Sequence, residues 1–423
     1  MTTRSSISGL KVMTLRMHPK HSGHNLNLTQ EQLLEFMHKL MYRTLCPMNG
    51  LPPTTRRRLL LGGAAAGLAA AAGLVLTTPR RSMDMDVSLS AEPVAEGLRI
   101  PWSLSFISDD EALFTERQGP VKLLTLGSRK VEQVGFVEVA AVGEGGLLGV
   151  ESMRAGGKTV VFLYHTYRAG GRLMNKVVRA VYDGGLDDVV DVISGITGGA
   201  VHNGGRVKIG PDGLLYITTG EGGVPAESQN PNSLGGKILR ITPEGKTPND
   251  NPFNSPVYAY GLRNSQGISW RGGIMYATDH GPTGEGLRYA HDEVNLIVAG
   301  GNYGWPAAIG DETVQGSIKP LIHSGSETWA PSGCCVYKKG EIQSLRGSLL
   351  FAALRGSHLH RVVLSEDGLA VIGEEKLFTD SFGRLRDVVE GPDGALYILT
   401  SNRDGRGVPR AGDDKIIRVF SRA

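Results

Sequence analysis

Histidine and arginine side chains recur in short, glycine-rich phrases of this sequence. His202 lies in VHNGGR, Arg263 and Asn264 lie in GLRNSQG, and Arg384 and Arg386 lie in GRLRDVV. Arginine binds planar carboxylates through paired hydrogen bonds and stacks on flat rings, whereas histidine exchanges protons near neutral pH. Taken singly, each arginine is more often a solvated strand end or the partner of an acid, and a lone histidine is more often structural. These residues can act together only if the fold brings the phrases together.

The segment 279–306, DHGPTGEGLRYAHDEVNLIVAGGNYGWP, is the densest group of polar residues. It combines Asp279, Asp292 and Glu293 with glycines and prolines whose carbonyls are accessible in tight turns, and it contains no cysteine. Oxygen ligands without thiolates favour a hard cation such as calcium. The spacing does not match an EF-hand loop, so composition alone leaves calcium as one interpretation.

A repeated sequence phrase indicates which β-strands position these residues. A turn with Asp or Gly is followed by an aliphatic residue, an aromatic residue and a short apolar–polar run, as in PDGLLYITTGEGG. The aromatic residues of the six copies, 46 to 75 residues apart, are Phe114, Phe162, Tyr216, Tyr276, Phe351 and Tyr397. This spacing is typical of four-stranded blades with some insertions. We therefore predict an all-β fold, a six-bladed β-propeller of four-stranded antiparallel blades over residues 83–423, with a β-sandwich as the alternative.

Each phrase is preceded by a second apolar strand, as in GGRVKIGPDGLLYITTG, and the turn between the two strands predicts a hairpin. Residues before the first strand and after the second must then share one face, near the central channel. Those before first strands are His202, Arg263, Asn264, Thr328, Arg384 and Arg386, and those after second strands are Glu221, His280, Gly281, Pro282 and Arg355. Several cations at one channel mouth require an anion, which could be a substrate or a cofactor.

The first 82 residues are not predicted to belong to the propeller. The arginine run 56–58 precedes an Ala/Gly/Leu-rich run that ends at Leu76, which is typical of a twin-arginine export signal. We expect 54–82 to be this signal or, if it is not cleaved, a membrane tether. Residues 1–53 would be an N-terminal extension, which reflects either a misplaced start codon or a small extra helix. The protein is expected outside the cytoplasm, secreted or held at the outer side of the cell membrane.

The composition limits the classes of function. The 423 residues include 59 glycines and 21 prolines, with 21% charged and 40% hydrophobic residues, as expected of a folded, turn-rich chain. A net charge of +3, with no basic patch interleaved with aromatics, argues against nucleic-acid binding. Three cysteines argue against a disulfide scaffold. The adjacent Cys334 and Cys335 could form a vicinal disulfide or remain buried thiols in a strand.

At these phrases the chain resembles the soluble dehydrogenases of the glucose/sorbosone type, which depend on pyrroloquinoline quinone (PQQ) and oxidise aldoses. The resemblance spans about residues 87–421 and includes GEGGLLGV, HNGGR, NSLGGKILRITPEG, YGLRNSQG, DHGP, DEVNLI, GGNYGWP and RLRDVVEGPDG. Each phrase is weak alone, but the phrases in this order are specific. The resemblance implies a six-bladed propeller with PQQ and calcium as cofactors. It also implies oxidation of the C1 hydroxyl of aldoses to lactones, an electron acceptor of unknown identity and a monomeric protein.

The resemblance also implies roles for individual residues. His202 would be the general base that takes the proton of the C1 hydroxyl, and Glu144 would contact the sugar. The positions that would contact PQQ are Arg263, Asn264, Thr328, Arg355, Arg384 and Arg386. The calcium ligands would be the carbonyls of Gly281 and Pro282, Glu293 and the carbonyl of Tyr303. A hard cation and arginines would stabilise the negative charge that hydride transfer creates on the quinone oxygen.

Three positions depart from the family pattern. Glu144 stands where members often have glutamine, which puts substrate preference or pH profile in question. Arg355 stands where some members have lysine, and Val201 precedes His202 where some have an acid. Two other functions stay open: a non-enzymatic propeller that binds glycans or a protein, and a lactonase-like hydrolase, which would need a carboxylate cluster at the channel centre.

Overall fold

The structure is a computed structural model that describes residues 89–283, 289–338 and 340–422. Short apolar runs form strands there because they bury their side chains against neighbouring sheets, and the Gly, Asp and Pro residues between them permit tight turns. The strands assemble into six four-stranded antiparallel sheets. Two short 3-10 helices, Pro225–Gln229 and Gln343–Leu345, are the helical elements of the described residues.

Blades one to three follow one another along the chain. Blade one comprises β2 (Pro101–Phe106), β3 (Glu111–Glu116), β4 (Pro120–Thr125) and β5 (Lys130–Phe136). Blade two comprises β6 (Leu147–Ala155), β7 (Lys158–Ala169), β8 (Arg172–Tyr182) and β9 (Leu186–Thr197). Blade three comprises β10 (Val207–Ile209), β11 (Leu215–Thr218), β12 (Lys237–Ile241) and β13 (Val257–Tyr260).

Blades four to six complete the ring. Blade four comprises β14 (Ser265–Arg271), β15 (Ile274–Asp279), β16 (Glu293–Ile297) and β17 (Ile322–His323). Blade five comprises β18 (Pro331–Val336), β19 (Leu349–Ala353), β20 (His358–Leu364) and β21 (Val371–Leu377). Blade six comprises β22 (Leu385–Glu390), β23 (Leu396–Thr400), β24 (Ile416–Ser421) and β1 (Leu89–Ala95).

Blade six is built from both ends of the described chain. Its strand order is β22, β23, β24 and then β1, and Leu89 of β1 pairs with Ser421 of β24. The ring is thus closed by hydrogen bonds between the first and the last strand of the described chain, which join its two ends in one sheet.

The repeated aromatic residues occupy one equivalent position in every blade. All six lie in the second strand and are at most 4% exposed. The core clusters combine side chains of adjacent blades, as Leu113 of blade one meets Leu147 of blade two and Leu350 of blade five meets Val388 of blade six. The predicted six-bladed propeller is therefore confirmed, and the sandwich alternative is wrong.

A polar network fills the centre of the disc. Arg206 is 1% exposed, and its Nη1 donates to Oδ2 of Asp387 and to Oγ of Ser103, both at 2.7 Å. Its Nε donates to the carbonyl of Gln266 at 2.9 Å, and its guanidinium lies 4.4 Å from the ring of Trp102. Four blades are thus joined through one arginine. The acid at the centre is ion-paired, so it does not form the carboxylate cluster that a lactonase-like site would need.

Cys334 and Cys335 are both free thiols in β18. Successive side chains of a strand point to opposite faces, and the two cysteines pack in different core clusters, one between blades four and five and the other between blades five and six. Burial raises the pKa of Cys334 to about 12, which keeps its thiol protonated. The interpretation of two buried thiols in a strand therefore describes this structure.

The predicted extension 1–53 and the export signal or tether 54–82 lie outside the described residues, so these expectations stay predictions. In the part of the chain that the structure describes, no helix has the length and apolar character needed to cross a membrane.

Candidate active site

The hairpin ends that were predicted to share one face surround a cavity of about 1050 Å³. The predicted site residues that line it are Glu144, His202, Arg263, Asn264, Gly281, Thr328, Arg355, Arg384 and Arg386. Pro282 follows Gly281 in the turn, whereas Glu293 and Tyr303 lie outside the lining. Trp102, Gln266 and Arg386 lie between the cavity and the central network, so they form its floor.

Two carboxylates hold His202. Its Nδ1 lies 2.7 Å from Oε1 and 3.1 Å from Oε2 of Glu221, whose side chain is 1% exposed. Its backbone N–H donates to Oε2 of Glu144 at 2.9 Å. A carboxylate accepts hydrogen bonds, so this contact assigns the ring proton to Nδ1 and makes Nε2 the basic nitrogen. This arrangement leaves Nε2 as the ring atom that can accept a proton.

The backbone at His202 is in an unusual conformation. Its φ of 55° lies in the left-handed region, which residues other than glycine seldom adopt and which is enriched at functional sites. The neighbouring strand end approaches so closely that a Cβ atom on Gly220 would lie 2.0 Å from the carbonyl oxygen of His202. Gly220 is therefore needed for the close packing of the loop that presents the imidazole.

Asp279, at the end of β15, positions Arg263 and Asn264. Its Oδ2 accepts the backbone N–H of Arg263 at 2.8 Å, and its Oδ1 accepts that of Asn264 at 2.7 Å. Asn264 in turn accepts the N–H of Gly204 through Oδ1 at 2.9 Å. Burial raises the pKa of Asp279 to about 7, against the effect of the two N–H donors. The oxygens that suggested a metal ligand in the sequence thus bind the backbone of the site.

Asp292 connects the predicted calcium turn to the loop before β18. Its Oδ1 accepts the N–H of Gly281 at 2.8 Å, and its Oδ2 accepts those of Trp329 and Ala330 at 2.6 and 2.9 Å. Space is tight, since a Cβ atom on Gly281 would lie 1.9 Å from the carbonyl oxygen of Ala290. One buried acid therefore fixes both the turn and the segment that carries Thr328.

The opposite side of the cavity is cationic. Arg384 donates through Nε and Nη2 to Oδ2 of Asp404, at 2.9 and 2.8 Å. Arg386 donates through Nη1 to Oε1 of Gln266 at 2.7 Å and lies 5.6 Å from the ring of Trp102. Burial lowers the pKa of Arg386 to about 9, and its buried Nε has no hydrogen-bond partner among the described residues. A buried N–H without an acceptor is costly, so an anionic ligand would stabilise this side chain.

The predicted calcium ligands offer oxygen atoms in two places. Gly281 is at the cavity wall, and the carbonyl of Pro282 accepts the N–H of Ala290 at 3.0 Å while keeping a second lone pair. Within residues 89–283, 289–338 and 340–422, no three His, Cys, Asp or Glu side chains converge in a metal-binding arrangement. A cation here would therefore depend on backbone carbonyls, which suit calcium.

The second place is the start of β16. Oε1 of Glu293 accepts the N–H of Gly310 at 2.9 Å, and Oε2 accepts Nδ2 of Asn295 at 3.0 Å. Burial, together with the neighbouring Asp279, raises the pKa of Glu293 to about 8, and Oδ1 of Asn295 is buried without a partner in the described chain. The hydroxyl of Tyr303 donates to the carbonyl of Leu296, farther along the strand. Buried oxygens of this kind fit a hard cation.

The sequence model of the glucose/sorbosone dehydrogenase family matches residues 98–416. The chain belongs to the glucose/sorbosone dehydrogenase family. The resemblance drawn from the ordered phrases is therefore confirmed at the level of the family.

Individual relatives in the glucose/sorbosone dehydrogenase family extend over most of the propeller. Aldose sugar dehydrogenase YliI of Escherichia coli is 29% identical over 350 residues, which cover 75% of this chain and 91% of the relative. The PQQ-bound form of aldose sugar dehydrogenase from Streptomyces coelicolor is 35% identical, covers 79% of this chain and 99% of that one, and superposes with a TM-score of 0.71. Quinoprotein glucose dehydrogenase B of Acinetobacter calcoaceticus is 28% identical over 302 residues, covering 51% of this chain and 62% of the relative.

Several residues of the cavity were not predicted from the sequence. Arg117, Asp404 and Arg406 line it, and the last two lie in the phrase SNRDGRG between β23 and β24, outside the phrases that carried the family resemblance. Glu221 was placed on the correct face, but its bond to His202 was not foreseen. The position of Glu221 shortly after a second strand, in TTGEGG, was the available signal.

Proposed function

We propose that this member of the glucose/sorbosone dehydrogenase family is a PQQ- and calcium-dependent enzyme that oxidises the C1 hydroxyl of an aldose to a lactone. The observation that carries the proposal is a single cavity in which the His202–Glu221 pair faces the buried, incompletely bonded Arg386. Two relatives add support, because one is described as PQQ-bound and another as a quinoprotein.

PQQ, when bound, would supply a quinone that accepts hydride and carboxylates that bind cations. The residues that would hold it are Arg263, Asn264, Thr328, Arg355, Arg384 and Arg386. Arginine matches this ligand because its planar fork pairs with carboxylates and its face stacks on aromatic rings. Calcium held by the carbonyls of Gly281 and Pro282 would add positive charge beside the quinone.

The protein's own step is proton removal. Nε2 of His202 takes the proton of the C1 hydroxyl, and the charge that then forms on the imidazole is stabilised by Glu221, 2.7 Å from Nδ1. The floor formed by Trp102 and Arg386 closes the cavity toward the central axis and excludes water from that side. The cofactor carries the redox chemistry, while the protein binds, orients and removes the proton.

Reconstitution tests this proposal directly. The purified full chain is titrated with PQQ in the presence of calcium or of a chelator, and is then given a panel of aldoses with an artificial electron acceptor. We expect turnover that needs PQQ and calcium together. Absence of both PQQ binding and turnover would refute the proposal, and glycan binding without turnover would favour a non-enzymatic propeller. A monomeric state and an extracytoplasmic location are further proposals from the sequence.

A further inference from the structure

An ion pair at the cavity connects two distant parts of the chain. Nη1 of Arg406, in the loop between β23 and β24, lies 2.6 Å from Oε1 of Glu144, in the segment before β6. The side chain of Arg406 is 59% exposed, whereas that of Glu144 is 22% exposed. Because both residues line the cavity, the guanidinium is accessible to a ligand that enters it.

The pair is adjacent to the proposed base. The other oxygen of Glu144, Oε2, accepts the backbone N–H of His202 at 2.9 Å. His202, Glu144 and Arg406 all line one cavity, so a sugar whose C1 hydroxyl faces Nε2 of His202 can turn C2 toward Glu144 and Arg406. Burial acts to raise the pKa of Glu144, but Arg406 and the His202 N–H outweigh it and lower the pKa to about 2. Glu144 is thus an ionised acceptor at all ordinary pH values.

The loop that carries Arg406 is anchored to the cationic wall. The backbone N–H of Arg406 donates to Oδ1 of Asp404 at 2.9 Å, and Oδ2 of the same acid binds Arg384. The side chain of Asp404 is 4% exposed. One buried acid therefore holds both a predicted PQQ contact and the exposed guanidinium in place.

A carboxylate that only accepts and a guanidinium that only donates complement two neighbouring hydroxyl groups. The oxygen of the C2 hydroxyl accepts from Arg406, while a neighbouring hydroxyl donates to Glu144. The guanidinium of Arg406 is 59% exposed, so a hydroxyl group that enters the cavity can reach donors that the ion pair with Glu144 does not use. We propose that Arg406, held beside the sugar-contacting position Glu144 that the family resemblance implies, binds the C2 hydroxyl of the aldose and determines specificity at that position.

The inference rests on the proposed aldose dehydrogenase function, and its test uses the PQQ- and calcium-loaded full chain. Values of kcat/KM are compared for glucose and 2-deoxyglucose in the unsubstituted protein and in Arg406→Gln. We expect the substitution to lower kcat/KM for glucose by roughly 10-fold, as for loss of a hydrogen bond to a charged group. The value for 2-deoxyglucose should change by less than about 3-fold, so that discrimination is largely lost.

Two further variants make the result specific. Arg406→Lys keeps a cation without the planar fork and should retain part of the discrimination. The matched control is Arg403→Gln, in the same loop, where the exposed side chain donates to the carbonyl of Asp413 and does not line the cavity. This control should leave both kcat/KM values unchanged, and PQQ titrations should be the same for all variants.

The outcomes separate the two proposals. If the unsubstituted protein neither binds PQQ nor oxidises glucose, the proposed function fails, and no role in sugar recognition remains for Arg406. If it oxidises glucose but Arg406→Gln leaves discrimination intact, or reduces kcat/KM equally for both sugars, the specificity role is overturned while the enzyme assignment stands. Thermal unfolding of each variant identifies a loss that comes from misfolding, and Arg406→Lys then provides the decisive comparison.

Discussion

Around the cavity, the buried carboxylates Glu221, Asp279 and Asp292 of blades three and four differ from two guanidinium groups of blades five and six in how their polar atoms are bonded. Glu221, Asp279 and Asp292 use their oxygens on the imidazole of His202 or on backbone N–H groups. On the other side, Arg355 is exposed, and the buried Nε of Arg386 has no acceptor among the described residues.

This difference indicates that the carboxylates stabilise the protein around the site, whereas the guanidinium groups are available to bind a ligand. Carboxylates whose hydrogen bonds are made within the protein stabilise loops and orient the imidazole of His202, so their role is structural. Guanidinium groups with unused donors gain most when an anion arrives. Substitutions on the acidic side should therefore affect stability or proton transfer, while those on the cationic side should affect the binding of the cofactor.

The largest effect is expected for His202→Ala. Removal of the general base should lower turnover by about 10²–10⁴-fold, because proton transfer contributes a factor of this size. PQQ affinity should be nearly unchanged, since the arginines remain. Steady-state rates at saturating aldose and an absorbance titration of PQQ measure the two quantities separately. His202→Asn, which keeps a polar side chain but no base, should behave in the same way, and wild-type turnover in either variant would contradict the role.

A smaller effect is expected for Arg386→Gln, which should weaken PQQ binding by roughly 10–100-fold, as for loss of a hydrogen bond to a charged group. The matched variant is Arg384→Gln. Nε and Nη2 of Arg384 already donate to Asp404, so the loss of Arg384 should weaken PQQ binding less. Equilibrium titration of both variants compares them. If Arg384→Gln lowered PQQ affinity as much as Arg386→Gln or more, the idea that unused arginine donors bind the cofactor more strongly than bonded ones would be wrong.

The smallest effect on binding is expected for Asp292→Asn. A single amide oxygen cannot accept the N–H groups of Gly281, Trp329 and Ala330 together, so the free energy of unfolding should fall by about 1–3 kcal/mol. Urea unfolding of the apo-protein in chelator measures this without a contribution from calcium. Asp109→Asn, in an exposed turn, is the control and should change little. A variant that loses PQQ affinity at unchanged stability would place Asp292 among the binding residues.

The blades and the face of the site were predictable because both follow from short-range patterns. An aromatic residue next to a turn marks the second strand of a hairpin, and a hairpin brings its two ends together whatever the rest of the fold does. Arg263 and Arg355 could therefore be assigned to one face before the order of the blades was known. The assignment to one face needs only the knowledge that each phrase contains two strands joined by a turn.

The pairs across the cavity could not be predicted in this way. Glu144 and Arg406 meet only because the ring closes, and nothing in the sequence around either residue refers to the other. Glu221 and His202 are nearer in sequence, but their contact depends on the left-handed turn at His202 and on the absence of a side chain at Gly220. Such geometry is set by tertiary packing rather than by local propensity.

Ring closure also has a consequence for the order of events in the cell. Of the described strands, β1 is made before all others and β24 after them, yet these two strands must pair before blade six exists. The loop that holds Arg406 and Asp404 lies between β23 and β24, so both the cationic wall and the sugar-recognition pair depend on the last residues to be made. The cavity with its cationic wall is thus complete only after β24 has been made and has paired with β1 and β23.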